Sequence, residues 1–213
     1  MFSLSLVDIR SEIEHIFIKS GYDLQSLDAP IADTTEKKLC QLVTELNLAK
    51  KIKNALPSDA NQVIFHFDFE KELFFQHCLY NLINKYTQHF NIALDFDNIP
   101  DFEGNNDKIF MKNILSLTAI GVDFWMKNCR TNVTNLRDID LFDWDGFILD
   151  SAYIANNFSP NGKLKGDCLV HHLLKKSAPI GVDIDWRSQN GSALKKSGVT
   201  IFRKTKSHDH NTN

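Results

Sequence analysis

Alternation of apolar and polar positions predicts a series of short strands along the chain. The clearest is "QVIFHFDF", in which every second residue from Val63 to Phe69 is apolar, whereas His66 and Asp68 fall on the opposite face. "FSLSLVDI" and "HIFI" predict two strands joined by a hairpin turn at "RSE". Four later segments predict further strands: "NIALDFD", "GFILD", "APIGVDID" and "VTIFR".

Helical periodicity fills the intervals between these strands. Apolar residues recur every three or four positions from Leu39 to Ile52, and Pro57 follows the end of this pattern. A second helix is predicted from about Glu70 to Phe90, and its buried stripe comprises Phe75, Cys78, Leu79, Leu82, Ile83 and Tyr86. "FMKNILSLTAIG" predicts a short helix and then a strand that ends near Gly121. "KLKGDCLVHHLLKK" and "SALKKSG" predict two more helices.

The order of these elements favours an α/β fold with a mainly parallel sheet. From residue 60 onward, strands and helices alternate over short links, as parallel strands covered by helices do. Seven or eight strands in about 200 residues fit a closed (β/α)8 barrel as well as an open sheet. One domain is expected over residues 1–204, followed by a disordered polar tail over residues 205–213.

Composition narrows the classes of function. The 213 residues carry a net charge of −3 and a pI near 6.2, which argues against general binding of nucleic acid or of an anionic membrane. No window approaches the roughly 18 apolar residues of a membrane span, and the N-terminus lacks a signal-peptide pattern. The four cysteines form no CxxC pair. We therefore expect a cytoplasmic protein with reduced thiols and no cofactor.

Polar residues at the predicted strand ends are the candidates for chemistry, because catalytic groups of (β/α)8 barrels lie at the C-terminal ends of the strands. These residues are His66, Asp68, Asp95, Asp97, Asp150, Asp183 and Asp185. Two interpretations stay open for them. His66, Asp95 and Asp183 make a one-metal site if their strands converge, or the polar groups are merely solvated and hydrogen-bonded at the barrel mouth.

Seven segments, taken in order, resemble the motifs of one barrel family. "FSLSLVDIRS", "IFHFD", "ALDFD" and "LTAIG" are similar to F-Q-P-I-V-D, V-N-L-S, L-E-I-T-E and D-D-F-G. "FILDSAYI", "PIGVD" and "LKKSGVTIFR" are similar to L-K-I-D-R-S-F-I, A-E-G-V-E and L-R-E-L-G-V-D-L-V-Q. The family is the EAL domain, the barrel of bacterial cyclic-di-GMP phosphodiesterases, and the resemblance extends over residues 2–204. It implies a modified (β/α)8 TIM barrel whose first strand is antiparallel to the rest.

The resemblance also implies that most catalytic positions of the family have been lost. The paired aspartates of D-D-F-G fall at Thr118 and Ala119, and the catalytic lysine falls at Ile148. Asp95 and Asp183 still supply acids where the family has glutamates, and Asp150 is expected to be a structural acid. The other changed positions are Phe17, His66, Ile180 and Arg203. A two-metal hydrolase needs several anionic ligands around its cations, so this chain is predicted not to be an enzyme.

The resemblance therefore implies a non-catalytic EAL-like regulatory protein that acts by binding another protein. A transcription regulator of motility or virulence is one candidate partner, with no direct contact to nucleic acid or membrane, and cyclic-di-GMP is not an expected ligand. The alternative is a cyclic-di-GMP receptor or a divergent metal-dependent phosphodiesterase with a modified pocket built on His66, Asp95 and Asp183.

An aromatic segment, "GVDFWMKNCRTNVTNLRDIDLFDW", is the candidate partner surface. It carries Phe124, Trp125 and Trp144, and aromatic residues are enriched at protein interfaces. The interface hypothesis requires these rings to be exposed and contiguous. The other interpretation is that they cover the helical layer of the barrel.

Overall fold

Eight strands close into a barrel in the part of the chain that the structure describes. The computed structural model describes residues 2–8, 10–19, 34–57, 62–97, 106–131, 133–157, 168–185 and 187–203. The strands are β1 (Phe2–Asp8), β2 (Glu14–Lys19), β3 (Val63–Asp68), β4 (Asn91–Phe96), β5 (Val122–Cys129), β6 (Gly146–Leu149), β7 (Ile180–Gly181) and β8 (Ile201–Arg203). The proposed tail, residues 205–213, lies outside the described residues.

Helices alternate with the strands from β2 onward. They are α1 (Thr34–Ala55), a 3-10 helix (Lys71–Phe75), α2 (Leu79–Thr87), α3 (Asn106–Thr118), α4 (Val133–Leu141), α5 (Ser151–Asn157), α6 (Cys168–Leu174) and α7 (Gln189–Lys196). None of the helices in the described ranges is long and apolar enough to cross a lipid bilayer.

The first strand runs against the direction of the others, as the resemblance to the EAL domain implied. β1 pairs antiparallel with β2 and with β8, whereas all other neighbours from β2 to β8 pair in parallel. The tight turn from β1 to β2 sets this direction. The backbone oxygen of Asp8 accepts from the N–H of Glu12, and the backbone N–H of Asp8 donates to the carbonyl oxygen of Ile13. Glu12 takes a positive φ of 60° within the turn. The closed barrel, rather than an open sheet, is confirmed.

Two predicted elements were wrong in their boundaries. The segment up to Thr118 is one helix, and the strand expected to end near Gly121 instead begins at Val122. Gly121, with a φ of +80°, forms the turn between them. The helix predicted from residue 70 to 90 is interrupted, and this break changes the phase of its stripe. Cys78 is therefore exposed and Phe75 only half-buried.

Two apolar layers hold the fold together. Phenylalanines dominate the outer layer between strands and helices, as in the contacts of Phe74 with Phe96 and Phe110. A second, smaller cluster fills the interior of the barrel; it consists of Leu6, Ala93, Trp125 and Ile201, with Phe17, Ile64 and Ile148 packed against it. Burial on both faces explains why β5 shows no simple alternation in its sequence.

Glycines make room for the large side chains inside the barrel. A Cβ atom at Gly146 would lie 2.5 Å from Cε3 of Trp125, and one at Gly181 would lie 2.7 Å from Cδ1 of Ile148. Real Cβ atoms do not approach other atoms so closely, so both positions exclude a side chain while those neighbours stay in place. The interior is therefore a packed core rather than an open channel.

Candidate site at the barrel mouth

The aromatic residues proposed as a partner surface are buried, so that prediction was wrong. The exposed fractions of Phe124, Trp125 and Trp144 are 1%, 2% and 6%. Phe124 and Trp144 pack in the helical layer, where the Trp144 indole donates to the carbonyl oxygen of Asp138 over 3.0 Å. Trp125 points the other way, into the barrel interior. The residue types suggested an interface, but Phe124 and Trp125, which are neighbours on β5, pack on opposite faces of the strand: Phe124 against the helices and Trp125 inside the barrel.

The paired positions Thr118 and Ala119 do not lie at a strand end. They are exposed residues at the C-terminal end of α3, before Gly121 and the start of β5. The matching of "LTAIG" with the family's paired aspartates was therefore wrong by one element. The strand end that reaches the barrel mouth is that of β5, and it carries Lys127 and Asn128.

Lys127 places a positive charge among the strand-end acids. Its Nζ lies 2.7 Å from Oδ1 of Asp68 at the end of β3 and 3.7 Å from Oδ1 of Asp97 after β4. Burial alone would lower the pKa of Lys127, but its acidic neighbours, led by Asp68, outweigh burial and raise the pKa above its ordinary value. The side chain is therefore a fixed cation at neutral pH, and it was missed because β5 was not predicted.

Asn128 completes this cluster from the adjacent position. Its side-chain amide donates to Oδ1 of Asp97 over 2.5 Å. The residue has a positive φ of 55°, and the pairing of β5 with β6 is irregular between Met126 and Cys129. This irregularity lets consecutive residues, Lys127 and Asn128, both contact the acids, which a regular strand would point to opposite faces.

Asp183 is paired elsewhere at the barrel mouth. Arg203 donates from Nε to its carboxylate over 2.8 Å and from Nη2 to its backbone oxygen over 3.0 Å. Within the described residues, no group of three histidines, cysteines or acids is placed to hold a metal ion. Asp183, the third member of the alternative site of His66, Asp95 and Asp183, is therefore engaged by Arg203.

Beneath the mouth, His15, His66 and Asp95 form a buried hydrogen-bonded chain. His66 Nδ1 lies 2.8 Å from Oδ1 of Asp95, and its Nε2 lies 2.9 Å from Nδ1 of His15. All three residues are at most 3% exposed. Phe17 stacks on the His66 ring at 4.3 Å, and the Trp125 ring packs edge-on against both imidazoles. The sequence identified His66 and Asp95, whereas His15 carried no signal beyond its place in β2.

Burial sets the protonation of this chain. It lowers the pKa of His15 to about 3, with a further contribution from His66, so the His15 ring is neutral. Burial also raises the pKa of Asp95, against the opposing effect of His66. The second oxygen of Asp95 and the Trp125 indole nitrogen have no hydrogen-bond partner. Buried polar groups without a partner cost free energy, so we infer that the packing around these side chains holds the polar cluster in place.

Two further strand-end acids, Asp150 and Asp185, have structural contacts; Oδ1 of Asp185 accepts from the backbone N–H of Arg187 over 2.8 Å. Oδ1 of Asp150 accepts from the backbone N–H of Ala152 over 2.6 Å and from that of Tyr153 over 3.3 Å. It thereby caps the first turn of α5. Ile148, two positions earlier on the same strand, lies in the interior cluster against Gly181.

Asp123, near the start of β5, gives the folded protein a specific pH dependence. Burial, with a contribution from Asp145, raises its pKa from 3.8 to about 6. Because the folded-state pKa exceeds the unfolded value, the contribution of this carboxyl to stability is full below about pH 4 and is lost as the pH rises through about 6. We expect Asp123→Asn to unfold at a higher urea concentration than the wild type at pH 8 and at the same concentration at pH 4. A difference that does not change with pH would contradict this assignment.

Comparisons with known proteins place the fold. No protein-family model matches the sequence, and no curated protein matches it. The EAL domain of Mycobacterium smegmatis DcpA superposes with a TM-score of 0.66 at 8% identity, covering 94% of this chain and 88% of that one. A standalone versatile EAL protein from Vibrio cholerae O395, in a c-di-GMP-bound form, gives 0.63 at 13% identity, covering 94% and 87%.

A longer protein also superposes on this chain, over part of its own length. The EAL enzyme Bd1971, in a form bound to cAMP and cyclic-di-GMP, has a TM-score of 0.67 at 10% identity. The match covers 95% of this chain and 59% of the Bd1971 chain. The protein therefore has the EAL-type barrel fold, and at these identities the likeness establishes the fold alone.

The two-metal centre implied by the resemblance does not fit the residues present at the mouth. Mg²⁺ requires oxygen ligands in near-octahedral arrangement. Here the ammonium of Lys127 lies against Asp68, and one oxygen of Asp95 is held by His66. A divalent cation beside the Lys127 ammonium would be repelled by its positive charge. The arrangement instead neutralises the acids with charges of the protein itself.

Proposed function

We propose that this protein is a non-catalytic EAL-like regulatory protein that acts by binding another protein. The observation that carries the proposal is the Lys127 ammonium among the strand-end acids, 2.7 Å from Asp68. A phosphodiesterase of this fold would need cations and an activated water at this end of the barrel. Lys127 supplies a single charge that neither polarises a phosphate oxygen as a metal does nor lowers the pKa of a bound water.

The barrel interior supports the same proposal. Ile148 stands where the resemblance places a catalytic lysine, and it packs in the interior against Gly181. Phe17 stands where the resemblance places the glutamate of the family's name motif, and its ring covers His66. These side chains are apolar and serve packing, so neither can bind a cation or transfer a proton.

A protein is the proposed partner because the chain lacks the charge pattern of a nucleic-acid binder. The net charge is −3, whereas binding to nucleic acid requires a strongly basic surface. One candidate partner is a transcription regulator of motility or virulence, the class that the resemblance implies.

A second candidate function is reception of cyclic-di-GMP without turnover. The Vibrio cholerae protein and Bd1971 were both solved in cyclic-di-GMP-bound forms, and this chain shares their fold. In this chain, however, the basic groups Lys127 and Arg203 are engaged with Asp68 and Asp183. A nucleotide phosphate would have to displace those carboxylates, which makes the receptor the weaker candidate.

A thermal-shift and calorimetry experiment separates these candidates. The full chain is titrated with Mg²⁺, Mn²⁺ and cyclic-di-GMP, alone and in combination. A ligand at 100 times its Kd stabilises a protein by about 2.7 kcal/mol, an effect that raises the melting temperature clearly. We expect no shift and no heat of binding. A shift with the nucleotide alone would favour the receptor, and turnover that is lost in Asp95→Ala or Asp183→Ala would favour the enzyme.

A further inference from the structure

Helix α3 buries one apolar face and exposes two large apolar side chains on the opposite face. Phe110, Ile114 and Leu117 face the barrel and are at most 5% exposed. On the outward side, Met111 is 47% exposed and Leu115 is 65% exposed. Surface helices normally pair one apolar face with one polar face, so Met111 and Leu115 depart from this pattern.

Met111 and Leu115 lie in one strip along the outward side of α3. Lys108, Met111, Lys112, Leu115, Ser116 and Ala119 line one open surface patch along the helix. They recur at steps of three and four residues and therefore lie on one face over three turns. Of the five large apolar side chains that are exposed among the described residues, three belong to α3: Ile109, Met111 and Leu115. We call the surface formed by the six lining residues, from Lys108 to Ala119, the α3 strip.

Two lysines determine which partner suits the α3 strip. Lys108 and Lys112 line the strip together with Met111 and Leu115, and none of the described residues that line it is acidic. A partner segment that carries both apolar side chains and carboxylates would therefore complement the strip in shape and in charge. A second copy of this chain would not, because a two-fold pairing of the strips brings Lys112 towards its own copy.

The size of the strip also favours a helix-sized ligand. A helix of 13 residues is about 20 Å long and about 10 Å wide, so one face offers roughly 200 Å². A stable dimer buries about 800 Å² on each partner, far more than this strip provides. An amphipathic helix needs only a few apolar anchors at steps of three and four residues to dock.

We propose that the α3 strip is the docking surface for an acidic amphipathic helix of a partner protein. The inference rests on the proposed function, since it assigns the protein–protein contact to one face. Leu115 and Met111 provide the apolar anchors, and Lys108 and Lys112 pair with the carboxylates of the partner. The contact lies on the outer helical layer, so it leaves Lys127 and the barrel mouth untouched.

The test uses two fluorescein-labelled synthetic helices with the same leucine stripe, one flanked by glutamates and the other by lysines. Fluorescence anisotropy with the full chain measures their affinities. We expect the glutamate peptide to bind about tenfold or more tightly than the lysine peptide, and increasing salt to weaken it. Leu115→Glu and Lys112→Glu are each expected to weaken its binding by about tenfold or more.

Leu141→Glu is the matched control, because Leu141 on α4 is 66% exposed, close to the 65% of Leu115. Its affinity should stay within about twofold of the wild type, and circular dichroism should show all variants folded. The inference is overturned if the glutamate peptide does not bind at about 1 mM, if Leu115→Glu binds it as the wild type does, or if a dilution series shows self-association that Leu115→Glu abolishes. None of these results bears on cyclic-di-GMP binding or turnover, which the titration with Mg²⁺, Mn²⁺ and the nucleotide measures separately.

Discussion

Trp125→Ala is expected to lower the free energy of unfolding by about 3–5 kcal/mol, the range for deleting a large buried aromatic side chain. The Trp125 ring is 2% exposed, lies over Gly146 and contacts the rings of His15 and His66. Alanine would leave a cavity in the centre of the barrel, and neighbouring strands cannot close it without breaking their hydrogen bonds. Urea denaturation followed by circular dichroism measures the loss.

The control for this prediction is an apolar side chain of the outer surface. Leu141→Ala should change the free energy of unfolding by no more than about 0.5 kcal/mol, because Leu141 is 66% exposed. A near-wild-type stability of Trp125→Ala would contradict the packed interior and would restore Trp125 as a candidate for contact with a partner.

The second large effect is expected from His66→Phe, which should cost about 3–5 kcal/mol at neutral pH. Phenylalanine keeps a ring against Phe17 and Trp125, so the change mainly removes hydrogen bonds. Asp95 would then be left with neither oxygen paired, at 1% exposure, and His15 would lose its partner. Because burial raises the pKa of Asp95, its proton is retained at low pH, and the destabilisation should grow as the pH rises.

A second-site change distinguishes the buried charge from lost packing. Leucine at position 95 removes the carboxylate, so the double variant His66→Phe/Asp95→Leu should recover a substantial part of the stability lost in His66→Phe. Stability curves in urea at pH 5 and pH 8 provide both readouts. If the double variant is less stable than His66→Phe at both values, the hydrogen bond between His66 and Asp95 is not the source of the loss.

Much of the barrel could be predicted because the two faces of most strands lie in different environments, one against the helices and one towards the barrel interior. In β3, apolar residues from Val63 to Phe69 face the helices, while His66 and Asp68 face the interior, so the alternation is visible in the sequence. β5 could not be recognised in this way because Trp125, on its interior face, is as apolar as Phe124 on the outer face. The strand was therefore placed before Gly121 instead of after it.

Because the fifth strand was misplaced, the centre of the site could not be identified from the sequence. The acids Asp68 and Asp97 were identified from their positions at strand ends, which periodicity alone can locate. Their partner, Lys127, could be found only once the fifth strand end was known. Arg203 was named as a departure from the family pattern, but its pairing with Asp183 depends on the register of β7 and β8, which no local pattern encodes.

An assay of cyclic-di-GMP hydrolysis by the full chain at high protein concentration, with Mg²⁺ and with Mn²⁺, tests whether this barrel lacks catalytic activity. We expect no product above the level of a protein-free control, because Lys127 pairs with Asp68 and because Ile148 and Phe17 supply no catalytic group. Product formation that requires the metal and disappears in Asp183→Ala, a change at a partly exposed ion pair that should leave the fold intact, would contradict it.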